Sequence, residues 1–159
     1  MTEDFTESNV RICAQGVSNY LLEQDSHQNG LIIGYDTREN SEVFAKAVAE
    51  VAAANQIPVI FCEGPTPTPV VSYNLISRDC AGGVIITASH NPREWNGFKF
   101  RPGYGGSASP DIVAHIEDHI ELLGDVTNTN IMDFDHLQSI GAIEKIDASN
   151  SYMNHIATL

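Results

Sequence analysis

The sequence predicts a three-layer α/β/α sandwich on a mainly parallel, mixed sheet. Helical and extended patterns alternate along the chain, and such alternation builds layered α/β domains with a parallel sheet. The extended stretches, Gly30–Gly34, Ile57–Cys62 and Gly83–Ile86, are short apolar runs rich in β-branched residues, as buried strands are. The third of them passes abruptly into a polar loop punctuated by Ser89, Asn91 and Pro92, at a strand's carboxyl end, where open α/β sheets place their ligands.

The elements follow in order. Met1 to Phe5 is too short to hold one. From Thr6 to about Gln24, Val10, Cys13, Val17, Tyr20 and Leu21 recur at helical spacing, with Thr6 or Ser8 placed to cap the first turn. A strand over Gly30–Gly34 runs into Tyr35-Asp36-Thr37-Arg38, which on pattern alone reads as a helix cap and a surface arginine. Ser41 to Asn55 is the clearest helix, its stripe of Val43, Phe44, Ala47, Val48 and Val51 ending in alanines that permit close packing on a sheet. The strand Ile57–Cys62 leads to a loop stiffened by Pro65, Pro67 and Pro69. Pro69 suits the first position of a helix over Val70–Ser77.

After the central strand and loop, Asn96–Arg101 alternates enough for a strand, and Pro102–Pro110 is a loop. Ser109 caps and Pro110 opens a helix to about Leu123. His115 and His119 lie at i and i+4 on it, but Ile116 stands where the HExxH arrangement has its glutamate and no third ligand is in sight, so they read as a surface pair. Gly124–Met132 is a polar loop, and Asp133-Phe134-Asp135 reads as a helix start or turn. Ile143–Ile146 reads as a short strand, with Asp147 or Ser149 capping a last helix through Ile156.

Composition narrows the function classes. The 159 residues suffice for one domain with a real core, and no run approaches the roughly 20 apolar residues of a membrane-spanning helix. MTEDFTESNV has neither the basic nor the apolar region of a secretory signal, so a cytoplasmic protein is expected. Cys13, Cys62 and Cys80 are odd in number and widely spaced, and read as reduced, buried thiols. A net charge of -13 argues against nucleic-acid and anionic-membrane partners, because neutralising phosphates takes clustered Lys and Arg. Against that background Arg93, Lys99 and Arg101 crowd into the central stretch, a local cationic cluster of the kind an anionic substrate needs; Arg93 reads equally well as a solvated loop charge.

The central loop holds the chemistry. Ser89 offers a hydroxyl, His90 an imidazole able to exchange protons near neutral pH, and Lys99 a compact cation a few residues on. Adjacent Ser89 and His90 side chains diverge from a tight turn, and no Gly-x-Ser-x-Gly elbow surrounds the serine, which disfavours a serine hydrolase. A Gly-x-x-x-x-Gly-Lys-[Ser/Thr] nucleotide loop is also missing from the sequence.

Thr87-Ala88-Ser89-His90-Asn91-Pro92, followed by Asn96-Gly97-Phe98-Lys99, resembles the phosphoserine loop of the α-D-phosphohexomutases, the phosphoglucomutase and phosphomannomutase enzymes. The resemblance spans about Thr6 to Leu123 and corresponds to the first of that family's four domains. It implies that Ser89 exchanges phosphoryl with the sugar, that Lys99 transfers protons, and that His90 positions substrate or assists. It also brings Asp36 and Arg38, from Gly-x-Asp-x-Arg, close to the serine, with Arg38 suited to pair with phosphate oxygens. Asn91, Asn96 and Arg101 complete the implied phosphate- and substrate-binding set. Thr66 and Thr68 in the proline-rich loop are assigned no chemistry.

By the same resemblance, the expected activity interconverts hexose 1-phosphate and hexose 6-phosphate, of glucose and/or mannose, which Thr87-Ala88 ahead of the serine fits somewhat better than the glucosamine branch, the choice among the three staying open. The route passes through a bisphosphate such as glucose 1,6-bisphosphate, with Mg2+ held at Ser89 through its phosphate. The aromatic-Gly-Thr-x-Gly-x-Arg segment, the magnesium loop, the Gly-Glu-x-Ser-Gly sugar loop and the Arg-x-Ser-Gly-Thr phosphate loop of the family do not occur in this sequence. The expectation is therefore a first domain over 1–140, then a linker and the start of a truncated second domain over 141–159. Such a piece would be inactive without the family's other three domains. The alternative is a non-catalytic module that binds a phosphosugar or a partner protein.

Overall fold

A computed structural model describes residues 5–159; of the lead Met1 to Phe5, all but Phe5 lies outside the described residues. Five strands, β1 (Leu31–Tyr35), β2 (Val59–Cys62), β3 (Gly82–Ile86), β4 (Phe98–Pro102) and β5 (Ile143–Ile146), form one sheet in the order β4-β3-β1-β2-β5. All neighbours are parallel except β3 and β4, which pair antiparallel with Ile85 opposite Lys99 and Gly83 opposite Arg101. The predicted mainly parallel, mixed sheet is thus what the chain builds, and its antiparallel edge is β4, because a loop too short for a crossover joins it to β3.

Side chains alternate between the two faces of the sheet. On one face Leu31, Ile33, Phe61, Val84 and Ile86 pack with α1 (Glu7–Glu23), α2 (Ser41–Ala54), α4 (Pro110–Leu123) and α5 (Phe134–Ser139). On the other, Ile32, Cys62 and Ile85 meet α3 (Thr68–Ser77) and α6 (Ala148–Ile156). Alanine-rich α2 is buried along most of its length, which lets it sit close to the sheet. On the opposite face Gly34 has the same effect: a Cβ there would collide with the methyls of Val71, so only glycine lets α3 approach β1.

Local signals set the helix ends. Thr6 caps α1 by accepting the Asn9 N–H at 3.2 Å, and Ser109 caps α4 ahead of Pro110. Asp133 caps α5, whose helix start the sequence suggested, and Asp147 caps α6 by accepting the Ser149 N–H at 2.9 Å. Helix α3 begins two residues before the expected position. Extended Pro67 takes the N-cap and Pro69 sits within the first turn, where its missing N–H costs nothing.

Two polar networks bind segments that carry little apolar pattern. Gln15 and Asn55 exchange side-chain hydrogen bonds, and both bind Asn130, fixing the 124–132 loop against α1 and α2. Asn74, fully buried on α3, donates to Ala148 O at 2.9 Å and accepts from the Ser151 hydroxyl at 2.9 Å. It docks α6, and Tyr73 stacks on His155 beside it. Residues 141–159 therefore open with a strand paired to β2 and continue with a helix docked on α3, and the boundary expected at residue 140 coincides with no break in the sheet.

Candidate active site

Strands β1 and β3 end side by side, joined at their carboxyl ends by the Asp36 N–H donating to Ile86 O at 3.2 Å. The chain leaves both strands into loops that face each other, and α3's proline-rich entry closes a third side. The result is a cleft of about 550 Å³ lined by Asp36, Arg38, Thr66, Thr87, Ser89 and His90 among others.

Ser89 stands at the tip of the loop after β3, exposed, with a left-handed φ of 57°. A non-glycine residue adopts that conformation at a cost of order 1 kcal/mol, and such backbone clusters at functional sites where surrounding structure over-determines it. Here the surroundings do. The Ser89 N–H donates to the Thr87 hydroxyl oxygen at 3.1 Å, and the Asn91 N–H and side-chain amide both return to Ala88 O. The Lys99 ammonium, projecting from β4 beside Ile85, contacts the Ser89 hydroxyl directly.

Arg38 fastens the loop from behind. Its guanidinium donates to Ser89 O at 2.7 Å, Pro92 O at 2.6 Å and Trp95 O at 3.3 Å, and its Nε to Asp36 Oδ2 at 2.9 Å. The planar fork suited to a phosphate is thus occupied by three backbone carbonyls and a carboxylate. Asp36 also accepts the Arg38 N–H at 3.0 Å and the hydroxyl of fully buried Ser41 at 2.9 Å. Burial alone would push the Asp36 carboxyl up. The Thr87 hydroxyl, the Arg38 N–H, the Ser41 hydroxyl and the Arg38 guanidinium together outweigh it and hold the group below the ordinary carboxylate range.

Ser41 in turn accepts from the Asn96 side-chain amide at 2.8 Å, so the start of α2 is tied to the exit of the serine loop. The fold therefore gathers Asp36, Arg38, Ser89, His90, Asn91, Asn96 and Lys99 into one constellation. Arg101 sits apart: two residues along β4 and opposite Gly83, it reaches Gly105 O at 3.4 Å, away from the cleft. Arg93 lines the cleft's rim with its side chain 86% exposed, in keeping with a solvated loop charge.

Sequence reasoning missed Ser41 and Thr87 as supports, and Thr66, Pro67 and Thr68 as cleft walls. The one available signal for Ser41 was its position five residues after Asp36 at the start of a helix. The reach of Thr87 to Asp36 depends on strand adjacency. Elsewhere, His119 pairs with Glu23 at 2.9 Å and the His115 ring lies against Tyr20, so each has its own partner on α1. Cys13, Cys62 and Cys80 are free, and burial pushes the Cys62 thiol up to about 11, which makes it inert.

Fold and cleft together define an α/β/α domain that presents a lysine-contacted serine at the carboxyl ends of its parallel strands. The chain belongs to the phosphoglucomutase/phosphomannomutase family: residues 1–125 match the family's alpha/beta/alpha domain I. It is 36% identical over 124 residues to a probable phosphomannomutase of Haemophilus influenzae, covering 78% of this chain and 25% of that protein. Over 125 residues it is 37% identical to a phosphoglucomutase of Komagataeibacter xylinus, covering 74% of this chain and 22% of the relative. The crystal structure of a putative phosphomannomutase from Thermus thermophilus superposes with a TM-score of 0.81 at 28% identity, over 99% of this chain and 33% of that one. The chain spans about a quarter of the length of these two curated relatives.

Proposed function

We propose that this chain is the domain that supplies the phosphoryl-carrying serine of a hexose-phosphate mutase. In this reading the intact protein interconverts the 1-phosphate and 6-phosphate of glucose or mannose. Ser89 carries the phosphoryl group and a hexose bisphosphate is the intermediate. The observation that carries the reading is the Lys99 ammonium in contact with the Ser89 hydroxyl at the mouth of the cleft. A sugar hydroxyl attacks phosphorus on phospho-Ser89 and gives its proton to His90 in the same cleft, the P–Oγ bond breaks, and the Lys99 ammonium gives a proton to Oγ as it leaves; transfer back from the bisphosphate runs through the same atoms in reverse. Arg38 acts at one remove, holding Ser89 in its left-handed backbone, rather than as a ligand of the transferred phosphate.

Magnesium would neutralise charge on the transferring phosphoryl group, and phospho-Ser89 would offer it an oxygen. The described residues do not fit a complete site: no group of three or more His, Cys, Asp or Glu among them is arranged to hold an ion, and Asp36 is committed to Arg38 and Ser41. The remaining ligands, and the contacts that select the sugar, are assigned to the family's other three domains. The isolated chain is accordingly expected to be phosphorylated without turning over.

Incubating the purified chain with glucose 1,6-bisphosphate and Mg2+ tests this by intact mass and peptide mapping. Phosphate on Ser89, absent in Ser89→Ala, supports the reading, whereas an unmodified chain that still binds hexose phosphate favours a binding module. Isomerisation of glucose 1-phosphate by the chain alone at an enzyme's usual rate would refute the assignment of incompleteness.

A further inference from the structure

We infer that Asn96-Gly97 is a site of spontaneous deamidation built into the serine loop, and that its conversion to aspartate or isoaspartate disconnects the loop from α2. Asn96 is required as an amide because its Nδ2 bridges to Ser41 Oγ at 2.8 Å, and Ser41 gives its only hydroxyl proton to Asp36. Gly97 is required as glycine because a Cβ there would stand 2.8 Å from Thr87 O, where the chain turns beside the end of β3. The fold thus demands, side by side, a carboxamide and the least hindered following residue.

The local hydrogen bonds aim the two groups at each other. The Gly97 N–H lies one residue ahead of β4 and turns onto its neighbour's side chain, 3.1 Å from Asn96 Oδ1. Both residues are half-buried at a loop whose neighbours, Asn91 to Trp95, are exposed to water. In the reaction the Gly97 nitrogen bonds to Asn96 Cγ, the Cγ–Nδ2 bond breaks and Nδ2 departs as ammonia, taking the proton that Gly97 loses. Water then opens the cyclic imide at either carbonyl, giving aspartate or isoaspartate.

The chain contains its own control. Asn29-Gly30 is the same dipeptide, but the Gly30 N–H is tied to His27 O at 3.0 Å, closing a turn of 3-10 helix. Asn29 is also the more exposed of the two asparagines, so exposure alone would rank the sites in the opposite order.

The product at residue 96 loses its donor. A carboxylate there has no proton for Ser41 Oγ and faces the charge of Asp36 through that same hydroxyl. Isoaspartate adds a methylene to the backbone only three residues before Lys99.

Ageing the folded 159-residue chain at mildly alkaline pH, followed by peptide mapping and isoaspartyl methyl-acceptor assay, tests the inference against the urea-unfolded chain. In the folded chain Asn96 is expected to convert faster than Asn29 by on the order of fivefold, the factor that releasing one backbone hydrogen bond is worth. In the unfolded chain the two sites should react alike. Folded-state conversion at Asn29 equal to or faster than at Asn96 would overturn the inference. The predicted consequence is read on Asn96→Asp, which should melt below the parent; an unchanged melting temperature would refute the claim that the acid breaks the Ser41 bridge.

Discussion

Replacing Arg38 with alanine should open the serine loop without unfolding the domain. One guanidinium holds the carbonyls of Ser89, Pro92 and Trp95 and the carboxylate of Asp36, with its side chain only 10% exposed. Charge-assisted hydrogen bonds contribute about 1.5 to 3 kcal/mol each where water cannot replace them. The loop carbonyls lie at the surface, where water takes over much of that, so the summed local loss is about 2 to 3 kcal/mol. By the usual conversion, that raises the open population of the loop roughly 30- to 150-fold. Arg93 sits in the middle of the loop with an exposed side chain, so trypsin cleavage of the Arg93-Glu94 bond reports the opening directly. Cleavage there should accelerate by that factor, while peptide bonds in α2 and the sheet stay protected and the urea midpoint shifts modestly. Equal cleavage rates in parent and variant, at matched global stability, would refute the assignment of Arg38 as the clasp.

Two further outcomes follow from the polar network and the α6 contact. Asp36 has its folded pKa below the unfolded carboxylate value of roughly 3.9, so its contribution is fully present above that value and is lost as pH falls through the folded pKa. Urea midpoints measured from neutral to acid pH should therefore fall less steeply for Asp36→Asn than for the parent, and parallel curves would count against the network. Asn74→Ala removes the amide that donates to Ala148 O and accepts from the Ser151 hydroxyl, leaving those two groups only their mutual 3.3 Å hydrogen bond, a loss of about 1 kcal/mol in chemical denaturation, with faster amide exchange confined to α6 if Asn74 is what docks that helix.

Much of this molecule is legible along the chain because its signals are local. The apolar runs of β1, β2 and β3 report burial directly, as does the stripe on α2 apart from Val43, which is 48% exposed where the helix turns it outward, and Thr6, Ser109 and Asp147 cap helices through hydrogen bonds spanning two or three residues. The serine loop is legible for the same reason: Thr87 to Pro92 and Asn96 to Lys99 lie within one short segment, and the family match over residues 1–125 agrees with that resemblance. The α3 start slipped because a proline is tolerated at more than one position of the first turn, and local preference does not choose which of them Pro69 takes.

What only the tertiary structure decided is how distant groups are spent. The sequence by itself determined the alternation of elements, the polar loop at the end of β3 and the residue types able to handle a phosphoryl group. It left Arg38 free to bind phosphate, Arg101 free to join the site and residues 141–159 free to stand apart. Sheet order sets the surroundings of each of these. Setting β3 beside β1 brings Asp36 and Arg38 against the serine loop, where three carbonyls claim the guanidinium. Antiparallel pairing of β4 puts Lys99 at the cleft and carries Arg101 away from it. Parallel pairing of β5 with β2 draws the last segment into the sheet. The physical reason is common to all three: a strand's neighbour is chosen by burial and ladder hydrogen bonds summed over the whole sheet, and no window along the chain contains that sum.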